Sequence, residues 1–157
     1  FMLVGFLYER RQSDRLADYG GLKKVMPLGA MFFTIAMLSS VGLPGLNGFI
    51  GEFLILVGAF KSPVLQNGTY AVLGAIGVIL SVVYMLPMFQ KVFLGELTSD
   101  ANRRVSDLNM RESAVAVVFV ILIVWIGIAP SSFLKLSEKS TASVIEKVQQ
   151  NSSLTSK

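Results

Sequence analysis

From Val25 to Phe60 the chain runs for 36 residues with Glu52 as its only ionisable side chain. A single helix of that length, at about 1.5 Å per residue, would be roughly 54 Å long, against a bilayer core of about 30 Å. The run must therefore be interrupted. Val41-Gly-Leu-Pro-Gly-Leu-Asn-Gly-Phe-Ile-Gly-Glu-Phe-Leu54 marks the place. Gly42, Pro44, Gly45, Gly48 and Gly51 all disfavour continuous helix there. The pattern predicts one spanning segment over 25–43 and a second, discontinuous one over 44–61, broken near Gly48–Glu52.

A lone carboxylate beside a backbone break has two readings. At mid-bilayer it costs a few kcal/mol unless it is hydrated, paired or protonated. The break supplies free backbone groups and room for water, a recurring device in transporters. Glu52 is then a residue of a proton pathway, with Ser39, Ser40, Asn47, Ser81, Tyr84 and Lys91 as candidates for an accompanying polar path. In the structural reading the glycines only permit close packing and Glu52 reaches the headgroups. The serines, Asn47 and Tyr84 are then packing hydrogen bonders, and Lys61 and Lys91 are membrane-edge anchors.

The remaining sequence predicts an all-α polytopic membrane protein of about four spans, with a short amphipathic helix after them. Only 15% of the residues are charged, and mean hydropathy is +0.64. A soluble domain has about 25% charged residues. Residues 1–8 read as a helix end, 69–90 as a third span with Gly74 and Gly77 for close approach, and 112–131 as a fourth. Pro87 threatens the straightness of the third. Asn109-x-x-Glu112 predicts a capping box at the start of the fourth. Residues 137–149 predict a surface helix opened by Ser143-x-x-Glu146, lying at the interface or on a neighbouring subunit. Disorder is expected over 149–157. Residues 136–157 thus form an amphipathic or disordered tail. The first residue is Phe1 rather than Met, which reads as a fragment or a processed product.

Some chemistry is excluded within this sequence. With no cysteine and no histidine, it lacks thiolate ligands for iron–sulfur clusters, histidine ligands for haem and the usual zinc ligands. No metal or redox cofactor is expected on it. The net charge of +4 is spread over loops and tail, so no nucleic-acid surface is expected, and the bilayer is the expected surrounding. Counting segments puts the loop 9–24, the turn 61–68 and the tail on one side, with ten Lys and Arg. The loop 91–111 falls on the other, with four.

The stretch Gly42 to Phe60 resembles the broken late helix of the subunit M (subunit 4) family of proton-pumping NADH:quinone oxidoreductase, respiratory complex I. Leu7-Tyr-Glu-Arg10, Asp18-Tyr-Gly-Gly-Leu22 with Met26-Pro27, Tyr84-Met-Leu86 and Gln90-Lys-Val-Phe-Leu-Gly95 extend the resemblance over roughly residues 1–135. It implies the C-terminal transmembrane helices of an antiporter-like proton channel, with Glu52 as a terminal protonatable residue. The sister subunits L and N carry lysine at the matching place. It implies partners among those membrane subunits, and NADH, flavin, iron–sulfur clusters and quinone held by other subunits. It implies a bacterial inner membrane or an equivalent energy-transducing membrane, with the C-terminus on the positive side, opposing the charge count. Two further classes share such a segment: multi-subunit cation/proton antiporters and membrane-bound hydrogenase-type complexes.

Overall fold

A computed structural model describes the backbone of residues 1–62, 68–97 and 99–155, and the side chains of helix 131–155 only at 131–136, 138 and 140–145. Most of the expected turn over 61–68, with Pro63 and Asn67 as its signals, falls outside the described residues. Seven α-helices follow one another among the described residues: α1 Met2–Arg11, α2 Pro27–Ser40, α3 Asn47–Lys61, α4 Thr69–Phe93, α5 Asp100–Arg103, α6 Met110–Ile128 and α7 Ser131–Thr155. Two are long and apolar enough to cross a membrane by themselves, α4 with 25 residues and α6 with 19.

The other two expected spans correspond to the short helices α2, of 14 residues, and α3, of 15. At about 21 and 22 Å, each is shorter than the bilayer core. They lie end to end along α4. Phe33 of α2 packs on Phe89 and Phe93 near the C-terminal end of α4, with ring centroids 6.2 and 4.9 Å away. Leu56 of α3 lies against Gly74, near the N-terminal end of α4. Between these contacts α2 and α3 together make one crossing. The interruption is therefore at 41–46. The expected break at Gly48–Glu52 is not there: α3 is unbroken from Asn47 to Lys61. Gly48 and Gly51 sit inside its first turns, where the helix tolerates them because its N-terminal end rests on α2.

One crossing instead of two reverses the sidedness derived from the sequence. The loop after α1 and the loop after α4 lie on the same side and pack on each other. The Gly21 amide donates to the Leu94 carbonyl at 3.1 Å. Arg11 donates to the buried Asn102 side chain at 3.0 Å. Arg10 is the hub. Its guanidinium holds the Glu112 carboxylate with two bonds, 3.0 and 2.5 Å, and also donates to the carbonyls of Phe6, Ser106 and Asp107. Lys61 and the tail are on the far side.

The core gathers at this loop end. Leu22, Met26 and Phe93 are almost wholly buried there, joined by Leu7, Tyr19, Val105 and Leu108. Burial pushes the Tyr19 phenol above its ordinary range, opposed by the nearby Arg11 charge. The hydroxyl stays protonated and donates to the Ser13 carbonyl at 2.6 Å. Much of α4 and α6, by contrast, presents Val, Ile and Leu outward. Lipid tails are as apolar as these side chains, so a membrane protein has no need to bury them.

The local signals have mixed outcomes. The Asn109–Glu112 capping box forms with both bonds, 2.8 and 2.9 Å. Helix α4 passes through Pro87 without interruption, at the cost of the one backbone bond proline cannot donate. Gly74 receives Leu56, whereas Gly77 has open space beside it. Ser143 caps nothing. It lies inside α7 and donates to the Ser140 carbonyl. Helix α7 begins at Ser131, directly after Pro130, and continues to Thr155, where disorder was expected. Its start is fixed by Phe133, which meets Trp125 of α6 edge-on.

Candidate functional site

The site is the junction between α2 and α3. Helix α2 ends in two reciprocal backbone bonds. The Gly42 amide donates to the Ser39 carbonyl at 3.2 Å, and the Leu43 amide to the Leu38 carbonyl at 3.0 Å. This is the Schellman arrangement, which requires a left-handed residue just past the helix end and satisfies two of its free carbonyls. Gly42 supplies it, with φ of 73°.

Helix α3 starts with no side-chain cap on its first turn. Instead its first residues are held by the end of α2. Ser39, buried, donates its hydroxyl to the side-chain oxygen of Asn47. Gly48 lies directly over the Ser39 carbonyl oxygen, where a Cβ would overlap it. Two helix ends can touch only because position 48 has no side chain.

Glu52 stands in the second turn of α3, half-buried. Its carboxylate folds back on Gly42, and a Cβ at Gly42 would overlap Oε2. Gly42 is thus required twice, for its left-handed backbone and for the space above it. Among the described residues none hydrogen-bonds or ion-pairs with Glu52.

The structure brings Gly42, Asn47, Gly48 and Glu52 together. Gly45 belongs through its backbone, because its carbonyl oxygen seats on Gly127 of α6, where a side chain would overlap it. Pro44 is exposed on the connection, and Gly51 faces outward with nothing near it. The remaining polar candidates do not converge here. Ser81 donates to the Val78 carbonyl of its own helix at 2.6 Å. Tyr84 is exposed. Lys91 is exposed at the loop end of α4, at the height of Phe33 rather than of the junction. Gly127 was not foreseen, although a glycine in a run of β-branched residues is the signal of a close helix approach. Of the serines considered for the polar path, Ser39 is the one that reaches the junction, through its bond to Asn47. Among the described residues no group of three acidic residues gathers to hold a metal ion.

Residues 1–83 match the family model described as NADH:quinone oxidoreductase/Mrp antiporter, TM. The chain is 43% identical over 147 residues to the NADH-quinone oxidoreductase subunit M of Rickettsia felis, covering 94% of this chain and 29% of that one. It is 38% identical over 146 residues to the NADH-ubiquinone oxidoreductase chain 4 of Arabidopsis thaliana, with 93% and 29% covered. It thus spans less than a third of the length of these relatives. Among solved structures it is similar to a chain of respiratory complex I from Thermus thermophilus with bound NADH, at TM-score 0.72 and 41% identity, covering 83% of this chain and 26% of that one. It shares the fold of a chain in the Mrp complex from Dietzia sp. DQ12-45-1b, at TM-score 0.68 and 21% identity, with 87% and 33% covered.

Proposed function

From the premise that this chain belongs to the NADH:quinone oxidoreductase/Mrp antiporter transmembrane family, we infer that it is the proton-handling end of a subunit M-type membrane protein of NADH:quinone oxidoreductase. In that role it works in a multi-pass membrane subunit, and Glu52 is the residue that takes up and releases the proton. Residues 1–135 form the channel part and the tail lies outside it. Electron transfer, with NADH, flavin, iron–sulfur clusters and quinone, belongs to partner subunits. The sister antiporter-like subunits L and N are the membrane neighbours.

One observation carries this reading: the Glu52 carboxylate rests on Gly42, in the gap between the ends of two half-helices. A carboxyl placed there feels the negative end of α2 and the positive end of α3 at once. Ser39 and Asn47 keep the ends in register.

The test uses the full-length subunit in its assembled complex, reconstituted in vesicles. Glu52→Gln keeps shape and hydrogen bonding but removes the exchangeable charge. We expect normal assembly with a lower rate of NADH-driven quinone reduction coupled to proton uptake. Glu52→Asp should lose less, and Glu52→Lys should keep part of the activity. Wild-type rate and proton stoichiometry in the Gln variant would leave the junction a packing device only.

A second reading rests on the shared fold with the Mrp chain, namely a subunit of a cation/proton antiporter. The two separate on what purifies with the full-length protein. A flavin and iron–sulfur arm supports the first, and sodium-driven proton exchange without any redox partner supports the second.

A further inference from the structure

Helix α2 lacks an N-terminal cap of its own. Met26 precedes it and offers no side-chain acceptor, although Pro27 opens the first turn with the fixed φ that suits it. The free amides of that turn are taken by a residue far along the chain. The Asp107 carboxylate accepts from Leu28 N–H at 2.9 Å and from Gly29 N–H at 3.0 Å. These are the second and third helical positions, the pair that a local capping side chain would serve. A charged acceptor at the positive end of the helix also complements its dipole.

Asp107 is itself held. Its Oδ1 accepts from the Leu108 amide at 2.8 Å, and its carbonyl accepts from Arg10 at 3.2 Å. Arg10 is in turn fixed by both oxygens of Glu112. Glu112 closes the capping box of α6. The start of α2 is therefore tied to α1 and α6 through one carboxylate and one guanidinium.

The far end of α2 is the junction. Over its 14 residues α2 is continuous helix, and its last turns carry Ser39, which holds Asn47, and lead into Gly42, on which the Glu52 carboxylate rests. A helix pinned at one end moves its other end little; a helix released at its start can slide or tilt against α3. Nothing else in the described backbone binds those first amides.

We propose that Asp107 is a positioning residue for Glu52: by capping α2 from the opposite loop it sets the spacing of the α2–α3 junction and hence the proton exchange of the carboxyl there. The proposal rests on the reading of Glu52 given above. Asp107 touches neither the proton site nor any substrate, and it acts through the helix.

The test is a double-mutant comparison in the full-length subunit within the assembled complex, with coupled proton translocation normalised to complex content. Asp107→Ala should lower translocation several-fold, and Asp107→Asn, which keeps one acceptor oxygen, should restore most of it. In a Glu52→Gln background Asp107→Ala should cause no further loss, because residues acting as one unit are not additive. Hydrogen exchange should quicken about tenfold or more at Leu28 and Gly29, as expected for a lost charge-assisted bond, and should quicken also at Gly42 and Leu43, whose amides close the far end of α2. If Asp107→Ala does not assemble, the same comparison is made with Asp107→Asn, whose loss should likewise vanish in the Gln background. Equal proportional losses in both backgrounds, or faster exchange confined to Leu28 and Gly29, overturn the proposal. Wild-type translocation in Glu52→Gln alone overturns the reading of Glu52 instead, and the exchange at Gly42 and Leu43 then still decides whether Asp107 sets the junction.

Discussion

At the residue scale the junction depends on two missing side chains. Gly42 holds a left-handed backbone with the Glu52 carboxylate over it. Gly42→Ala therefore incurs about 1–2 kcal/mol for the backbone alone, and the new methyl displaces the carboxylate as well. Gly48→Ala drives a methyl into the Ser39 carbonyl, an overpacking of about 1–3 kcal/mol. We expect both to lower the inactivation temperature of the full-length complex and its coupled proton uptake together. Gly51→Ala has open space around it and serves as the matched control. It should leave both unchanged. If Gly48→Ala behaves like Gly51→Ala, the two helix ends are not in contact in the working protein. Position 51 also shows the limit of reading glycines from sequence: four of them recur at every third residue from 42 to 51, and composition cannot say which carry the turn.

At the element scale the short helices are held by polar groups at their ends rather than by length. Helices α2 and α3 are too short to cross alone, and each is fixed by something outside itself: α2 by Asp107, α3 by Ser39, which meets its Asn47 and Gly48. Helix α6 is fixed by its own capping box and by Arg10. The Arg10–Glu112 pair is largely shielded, with side chains 13% and 12% exposed. Removing one partner of a shielded pair costs about 3–5 kcal/mol, much of it the stranded charge. Arg10→Met is thus expected to destabilise the assembled complex markedly in a thermal melt. Arg10→Met with Glu112→Gln should recover part of the loss, since no bare charge remains. A double variant no more stable than the single one would mean that the carbonyl contacts of Arg10, not the ion pair, hold the loops.

At the scale of the whole molecule the end-to-end placement of α2 and α3 decides the topology. The loops 9–24 and 91–111 share a side and together hold nine of the fourteen Lys and Arg. By the positive-inside rule these loops are expected in the cytoplasm or its equivalent, with the tail on the other face. This removes the conflict between the charge count and the orientation implied by the resemblance. The chain has no cysteine, so single cysteines introduced into it report without background from this segment. Ala17→Cys and Ala101→Cys, both exposed, should be labelled by an impermeant thiol reagent from the cytoplasmic side only. Ser140→Cys should be labelled from the opposite side only. Labelling of Ala17→Cys and Ser140→Cys from one face would restore two separate crossings for α2 and α3.

Class, membrane setting, the need for an interruption and the single carboxylate beside it were all determined by the sequence alone, because each follows from the count and spacing of charges against bilayer thickness. The Asn109–Glu112 cap was legible for the same reason: its partners are three residues apart. The place of the break, the side of each loop and the company of Glu52 were decided only by tertiary structure. Whether a Gly-Pro run turns a chain back or merely offsets two helices depends on what its ends meet. Here they meet Ser39, Gly48 and Gly127, and the helix start is met by Asp107 from 79 residues away. Contacts of that kind join positions whose separation in sequence carries no period, so no local pattern announces them.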